Sequence, residues 1–293
     1  MILSNLSPIE RVCVVNKVNK LSRIAVESYN RLAFDVERIL CPFFKENDQV
    51  HEITEFRMLQ YTIGMLISGS SALQFFDCTV YPESDLDLYI CLDQATLVTD
   101  FLVRIGYAYQ PSLSQDDNLS VALSNAAGPL EEVPVPWESY NGNGITGVFT
   151  FVRWGRRIQI ITCFECAMHV ILGFHLIASF SVYYAPKHGE TIMPACVLNV
   201  ISYSHAYSLY PRTTFHRRGA IILPQRYSQH EDVQKAYNAA LEKYKSRGWS
   251  IAVGPCAVDC FLSSEFCQER YAGDCLLGHS FVADQARQKF KRS

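Results

Sequence analysis

Two short stretches between residues 65 and 89 constrain this chain more than anything else in it. The first, Met65-Leu66-Ile67-Ser68, is an apolar run halted by Gly69-Ser70-Ser71. It predicts a buried strand that stops at Gly69, with a helix from Ser70 to Phe76. The second follows a loop containing Pro82. There Asp85-Leu86-Asp87-Leu88-Tyr89-Ile90-Cys91 alternates polar with apolar, as does a strand covered on one face. Asp85 and Asp87 then share a face, with α-carbons about 6.5–7 Å apart. At about 6 Å and an effective dielectric of 20, two such charges repel by roughly 3 kcal/mol, and a divalent cation between them turns that cost into attraction. Gly69 permits a sharp turn, and Ser70 and Ser71 place hydroxyls and free N–H groups at a helix start, where anions bind. Alone, Asp-x-Asp is commonly a solvated strand edge and Gly-Ser-Ser a turn. Together they describe a triphosphate held between a helix terminus and Mg²⁺ or Mn²⁺ on an acidic strand, the arrangement used in phosphoryl and nucleotidyl transfer.

The surrounding pattern mixes helices and strands. Ser7-Pro8-Ile9-Glu10 reads as a helix start, and Val14, Val18, Leu21, Ala25, Leu32, Val36 and Ile39 recur at helical spacing up to Pro42. Residues 1–50 are therefore expected to form a helical lobe, either packed on the main domain or docking a partner. Asp93 is expected to cap a helix over Ala95–Ile105 that stops at Gly106. Residues 111–146, rich in Ser, Asn, Asp, Gly and Pro, read as a long surface loop without core. Gly147–Arg153 and Ile158–Cys163 read as a hairpin with a basic tip, Trp154-Gly155-Arg156-Arg157. Asp232–Arg247 reads as a helix closed by Gly248. The sum is an α+β chain, a small mixed β-sheet flanked by helices, with a core over 51–175 and a helical and β region over 196–293.

With 26 basic and 29 acidic side chains the net charge is −3, so there is no general basic field and no strong nucleic-acid signal. Eleven cysteines without a leader-like start favour reduced thiols inside the cell, in cytoplasm or nucleus. Cys166–Pro186 lacks Asp, Glu, Lys and Arg, but its His and Ser content and missing basic flanks favour a buried helix over a membrane span.

Ser68-Gly69-Ser70 with its following helix, and then Ser84-Asp85-Leu86-Asp87-Leu88-Tyr89, resemble the signature of the nucleotidyltransferase (polymerase beta-like) fold. More closely, Leu66–Tyr89 resembles uncharacterised fungal nucleotidyltransferase-like proteins with an F-box-like helical N-terminus. Stretches similar to Arg157-Ile158-Gln159-Ile160-Ile161 and Ala206-Tyr207-Ser208-Leu209-Tyr210-Pro211 belong to that resemblance. It implies a small mixed sheet, Asp85 and Asp87 as catalytic metal ligands, and Gly69 and Ser70 on phosphate, with Ser70 on the β and γ phosphates. Many members of the superfamily add a third carboxylate from a later strand. Here Gln159 stands in the matching place, and Glu165, just past the strand, is the alternative donor. The resemblance also implies a second reading, a catalytically silent scaffold whose N-terminal helices bind a Skp1-like ubiquitin-ligase adaptor.

Weaker signals have ordinary explanations. Arg156 and Arg157, and Arg212, His216, Arg217 and Arg218, are phosphate-gripping candidates that also suit a solvated surface. Cys163-Phe164-Glu165-Cys166 has C-x-x-C spacing without a second pair, so buried thiols are expected. Cys256, Cys260, Cys267 and Cys275 near His279 match no standard zinc spacing, and His175 and His205 read as core histidines. Residues 176–195 interrupt an otherwise continuous pattern and read as an insertion, such as a translated intron. A spliced transcript lacking these codons is the expected finding, and a single message retaining them would refute it.

Overall fold

The first two α-helices begin where a side-chain oxygen accepts the first orphan amides. Asn19 accepts from Ser22 N at 2.8 Å and starts α1, Lys20–Ala33; Asp35 accepts from Glu37 N at 3.0 Å and starts α2, Val36–Leu40. The computed structural model describes residues 3–6, 10–47, 50–128, 144–164, 166–171, 198–208, 214–215, 218–222, 238–239 and 242–253. The expected cap at Ser7 lies outside these. Residues 10–17 form one π turn and one 3₁₀ turn, so the described α-helices of the N-terminal region are α1 and α2, capped by Asn19 and Asp35.

Five further elements build the centre: α3 (Glu52–Ile63), β1 (Leu66–Ser68), α4 (Gly69–Asp77), β2 (Leu86–Cys91) and α5 (Ala95–Arg104). Then come β3 (Ala108–Gln110), α6 (Leu119–Ala126), β4 (Ile145–Arg153), β5 (Arg156–Cys163), β6 (Asn199–Ile201) and β7 (Ala206–Ser208). These seven strands make one sheet in the order β3-β4-β5-β2-β1-β6-β7. Only β2 and β5 run parallel; the other pairs are antiparallel. The expected mixed α+β class is therefore what forms. Two more strands, β8 (Gly219–Ile222) and β9 (Ser250–Val253), pair in parallel as a separate ribbon.

Strand alternation decides what each face carries. Leu86, Leu88 and Ile90 point with Ile67, Ile158, Ile160, Phe149 and Phe151 into the main core, beside Phe56, Leu73, Phe75, Phe76 and Leu102. Phe34, Ile39, Leu40, Phe43 and Phe44 belong to the same core, which joins the N-terminal helices to the sheet. On the opposite face, Leu66, Tyr89, Ile161, Cys163 and Val200 form a smaller cluster with Ala167, Val170 and Ile171. That cluster covers the later half of β2 and leaves its beginning for Asp85 and Asp87.

Several expectations change on contact with packing. The stretch expected to be loop contains α6, capped by Asn118 accepting from Ser120 N at 2.9 Å, with Ala122 buried in the core. Residues 129–143 lie outside the described set. Asp93 does not cap α5; it sits in a 3₁₀ turn and accepts from the Gln94 side chain at 3.0 Å. The hairpin tip is Trp154-Gly155, with φ of 52° and 71°, the two positive values that a tight hairpin turn demands. Arg156 and Arg157 are already in β5. The apolar stripe of the N-terminal helices does not pack inward as a whole: Val14, Val18, Leu21 and Leu32 are 60, 66, 78 and 80% exposed, and in α1 Val26 is the buried residue. Helicity over 242–246, ending at Gly248, belongs to the expected C-terminal helix. Most of Cys166–Pro186 and all of 176–195 lie outside the described residues, among which no helix is long and apolar enough to cross a membrane.

One buried ion pair ties these parts together. The Arg153 guanidinium on β4 meets the Glu52 carboxylate at the start of α3 at 2.6 and 3.1 Å, and donates to the carbonyls of Phe43, at 2.8 Å, and of Ile105. It lies 3.9 Å from the Trp154 ring centroid and 4.7 Å from that of Tyr107. Burial pushes the Glu52 carboxyl up, but hydrogen bonds from Arg153 and the Lys45 amide outweigh it and hold the group below its ordinary value. Removing one member strands the other charge, so Arg153→Ala is expected to lower stability by about 3–5 kcal/mol in urea titrations. Because the native carboxyl is depressed, the wild-type contribution is present above the ordinary carboxylate range and fades as pH falls below it, a trend the variant should lack.

Candidate functional site

At the junction of β1 and α4 the backbone turns on Gly69, with φ of +67°. A β-carbon built there would lie 2.1 Å from Asp87 Oδ2 and 3.1 Å from its Cγ. No other residue type fits, because a carboxylate fills the space that a side chain would take. The reason is register: β1 and β2 pair with Ser68 opposite Asp87, so the Asp87 side chain lies against the turn that follows Ser68. One Asp87 oxygen is thus directed at the first residue of a nine-residue helix, where N–H groups lack helical partners.

The row continues across the sheet. Asp87 lies beside Gln159 on the parallel strand β5, and Gln159 lies opposite Thr150 on β4. Ser68, Asp87, Gln159 and Thr150 consequently share one face. One row nearer the start of β2, Asp85 Oδ1 accepts from Arg157 Nε at 3.0 Å. The Asp85 backbone is fixed as well, since its carbonyl accepts from Ser71 Oγ at 2.8 Å. Gln74 holds the intervening loop: its amide donates to Ser70 O at 3.1 Å and its oxygen accepts from Tyr81 N at 2.6 Å.

Among the described residues, no hydrogen bond or ion pair meets the Asp87 carboxylate. Burial, and then the neighbouring Asp85 charge, push its pKa up to about 7, against weaker pulls downward from Lys243 and Arg157. The half-buried carboxylate is crowded by a like charge, and no donor among the described residues compensates it. Such a group suits a cation.

The structure brings together Gly69, Ser70, Ser71, Asp85, Asp87 and Arg157. It does not bring Arg156 along, because that side chain donates to Pro82 O. Arg218 is also elsewhere, bidentate to Asp77 at 3.0 and 3.2 Å and stacked over Trp249. Arg212, His216, Arg217 and Glu165 lie outside the described residues. The C-x-x-C reading is corrected in part: Cys163 is buried, but Cys166 is exposed. His205 bonds Ser204 Oγ at 2.7 Å at a half-buried position, His175 is outside the described set, and so is the cysteine-rich region beyond residue 253.

Lys243 is the site residue that sequence reasoning misses. Its neighbour Tyr244 is buried in the main core, and the charge of the exposed Lys243 acts on Asp85 and Asp87. Partial burial and the neighbouring Arg247 push the Lys243 ammonium below its ordinary value, while Asp85 and Asp87 oppose them. Arg247 lies 4.1 Å from the Tyr81 ring centroid, above the loop that leads into β2. Helical spacing from Tyr244 was the available signal, but nothing local to 232–247 tells which strand that helix meets.

No protein-family model matches the chain, and no curated protein matches it.

The strained electrostatics of Asp87 make a prediction about stability. Its carboxyl has a native value raised to about 7 from an ordinary 3.8, so ionisation destabilises the fold progressively as pH rises between those values. Asp87→Asn, which keeps the shape and removes the charge, is expected to melt several degrees above wild type at pH 8 and within about a degree of it at pH 4. Thermal melts across that range check this; a variant less stable than wild type at pH 8 would show that the carboxylate is compensated.

Proposed function

We propose that this chain is a nucleotidyltransferase-like protein that binds a nucleoside triphosphate together with Mg²⁺ or Mn²⁺. The observation that carries the reading is the Asp87 carboxylate, which has no hydrogen bond among the described residues and is directed into the glycine bend at the start of α4. A cation held by Asp87 and Asp85 answers the repulsion between them, and phosphate oxygens answer the orphan amides of α4. Gly69 lets the Asp87 carboxylate lie against the turn, beside the α4 amides that phosphate would face. Ser70 holds the β and γ phosphates, and Arg157 and Lys243 supply positive charge from the flanks. When bound, the divalent cation neutralises charge on the phosphate oxygens. Transfer of a nucleoside monophosphate to an acceptor hydroxyl is the reaction that such positioning serves. The resemblance of residues 66–89 to the nucleotidyltransferase signature supports the same reading.

Calorimetry with Mg²⁺ and ATP, or another nucleoside triphosphate, tests it. Asp87→Ala is expected to abolish metal-dependent binding, and Lys243→Ala to weaken it about tenfold, the effect of losing one charge-assisted contact. Unchanged binding by Asp87→Ala would reject the assignment.

A second reading, a scaffold with partner-binding N-terminal helices, is favoured by one specific observation. Val14 and Val18, in the turns before α1, and Leu21 and Leu32, on one side of α1, are all exposed, whereas a helix on a domain surface ordinarily turns its apolar side inward. The partner in this reading is a Skp1-like adaptor. Leu21→Asp with Leu32→Asp in the full chain is expected to lose capture of the purified adaptor without lowering the melting temperature. Equal capture by the double variant would discount the stripe.

A further inference from the structure

We infer that the carboxylate site holds one divalent cation and not two, and that Gln159 sets this number. The inference rests on the nucleotide-binding reading above and deepens it. A two-cation site places the ions about 3.5–4 Å apart, and it needs carboxylates that bridge them and offset their mutual repulsion. Among the described residues the anionic supply at this site is small and already partly used. Asp85 gives Oδ1 to Arg157 Nε at 3.0 Å, which leaves its second oxygen for a metal. Asp87 is the one carboxylate in its row; its strand neighbours are Ser68 on one side and Gln159 on the other, with Thr150 beyond. Lys243 adds a further positive charge that acts on both carboxylates.

The position of Gln159 is decisive because the parallel register puts it directly beside Asp87. A carboxylate there would share a cation with Asp87 from the adjacent strand. The amide offers a neutral oxygen in the same place, and hard cations such as Mg²⁺ and Mn²⁺ prefer charged oxygen donors. From Gln159, β5 runs four residues to Cys163, which pairs with Cys91 at the opposite end of β2. At about 3.3 Å per residue this carries the strand roughly 13 Å from Asp87, so β5 brings no later side chain back to the pair. With a single cation, only one of the two oxygens exchanged in a displacement is stabilised by metal. The wild-type chain is accordingly built to hold its nucleotide more than to turn it over.

Counting metal tests this without reference to activity. The full chain is dialysed to equilibrium against Mn²⁺ and α,β-methylene-ATP, and the manganese in excess on the protein side is measured by atomic absorption. Wild type is expected to retain about one ion per chain, Gln159→Glu about two, and Asp87→Asn none. Two ions on wild type would overturn the single-cation inference and leave the nucleotide-binding reading standing. No ion on wild type would overturn both. A Gln159→Glu variant that melts as wild type does yet stays at one ion would show that Gln159 does not set the number.

Discussion

The approach of Asp87 to Gly69 is the contact from which the rest of the site follows. Asp87 approaches so closely that a side chain at residue 69 would collide with it, and the φ of +67° there also favours glycine. The antiparallel register of β1 with β2 brings the two residues together, and the apolar faces of both strands hold that register within the main core. Shifting the register of β2 by one residue would turn Asp87 into the core against Ile67 and Ile160 and turn Leu88 out of it. The core thus fixes the site geometrically, and the site contributes little to the core in return.

That geometry costs stability. Asp87 is desolvated next to a like charge, and its ionisation opposes folding near neutral pH. Compensation lies elsewhere in the molecule. The Arg153–Glu52 pair, with carbonyls from residues 43 and 105 around it, links the N-terminal helices, α5 and the β4–β5 hairpin. The hairpin in turn carries Arg157 and Gln159 to the edge of the carboxylate pair. A rigid frame that holds an unfavourable charge in place is the usual physical condition for a binding or catalytic group.

Much of this is readable from residue order, and the limits are instructive. Strand β1, helix α4, strand β2 and the β4–β5 hairpin follow from local alternation and from glycine, because adjacent residues decide them. The shared face of Asp85 and Asp87 follows from the period of a strand. What local pattern does not contain is partnership across the sheet: that Gln159 neighbours Asp87, that Arg157 engages Asp85, and that Arg156 turns away to Pro82. Lys243 escapes for the same reason, since a helix more than 150 residues from Asp87 reaches it only through tertiary packing. The stripe of Val14, Val18, Leu21 and Leu32 has the right period for a packed face, and only its surroundings reveal that solvent, not core, lies against it. Helix α6 hides in a polar stretch because Asn118 caps a segment whose apolar residues are Leu119, Val121, Ala122, Leu123 and Ala126, flanked by Ser, Asn, Asp and Gly.

The most direct test of the central claim is anomalous scattering from crystals of the full chain soaked in Mn²⁺ and a non-hydrolysable nucleoside triphosphate. The expected result is a manganese peak about 2.2 Å from oxygens of both Asp85 and Asp87, with phosphate density over the Gly69 turn. A well-ordered Asp85–Asp87 strand with no manganese beside it, or with phosphate bound away from Gly69, would contradict the account.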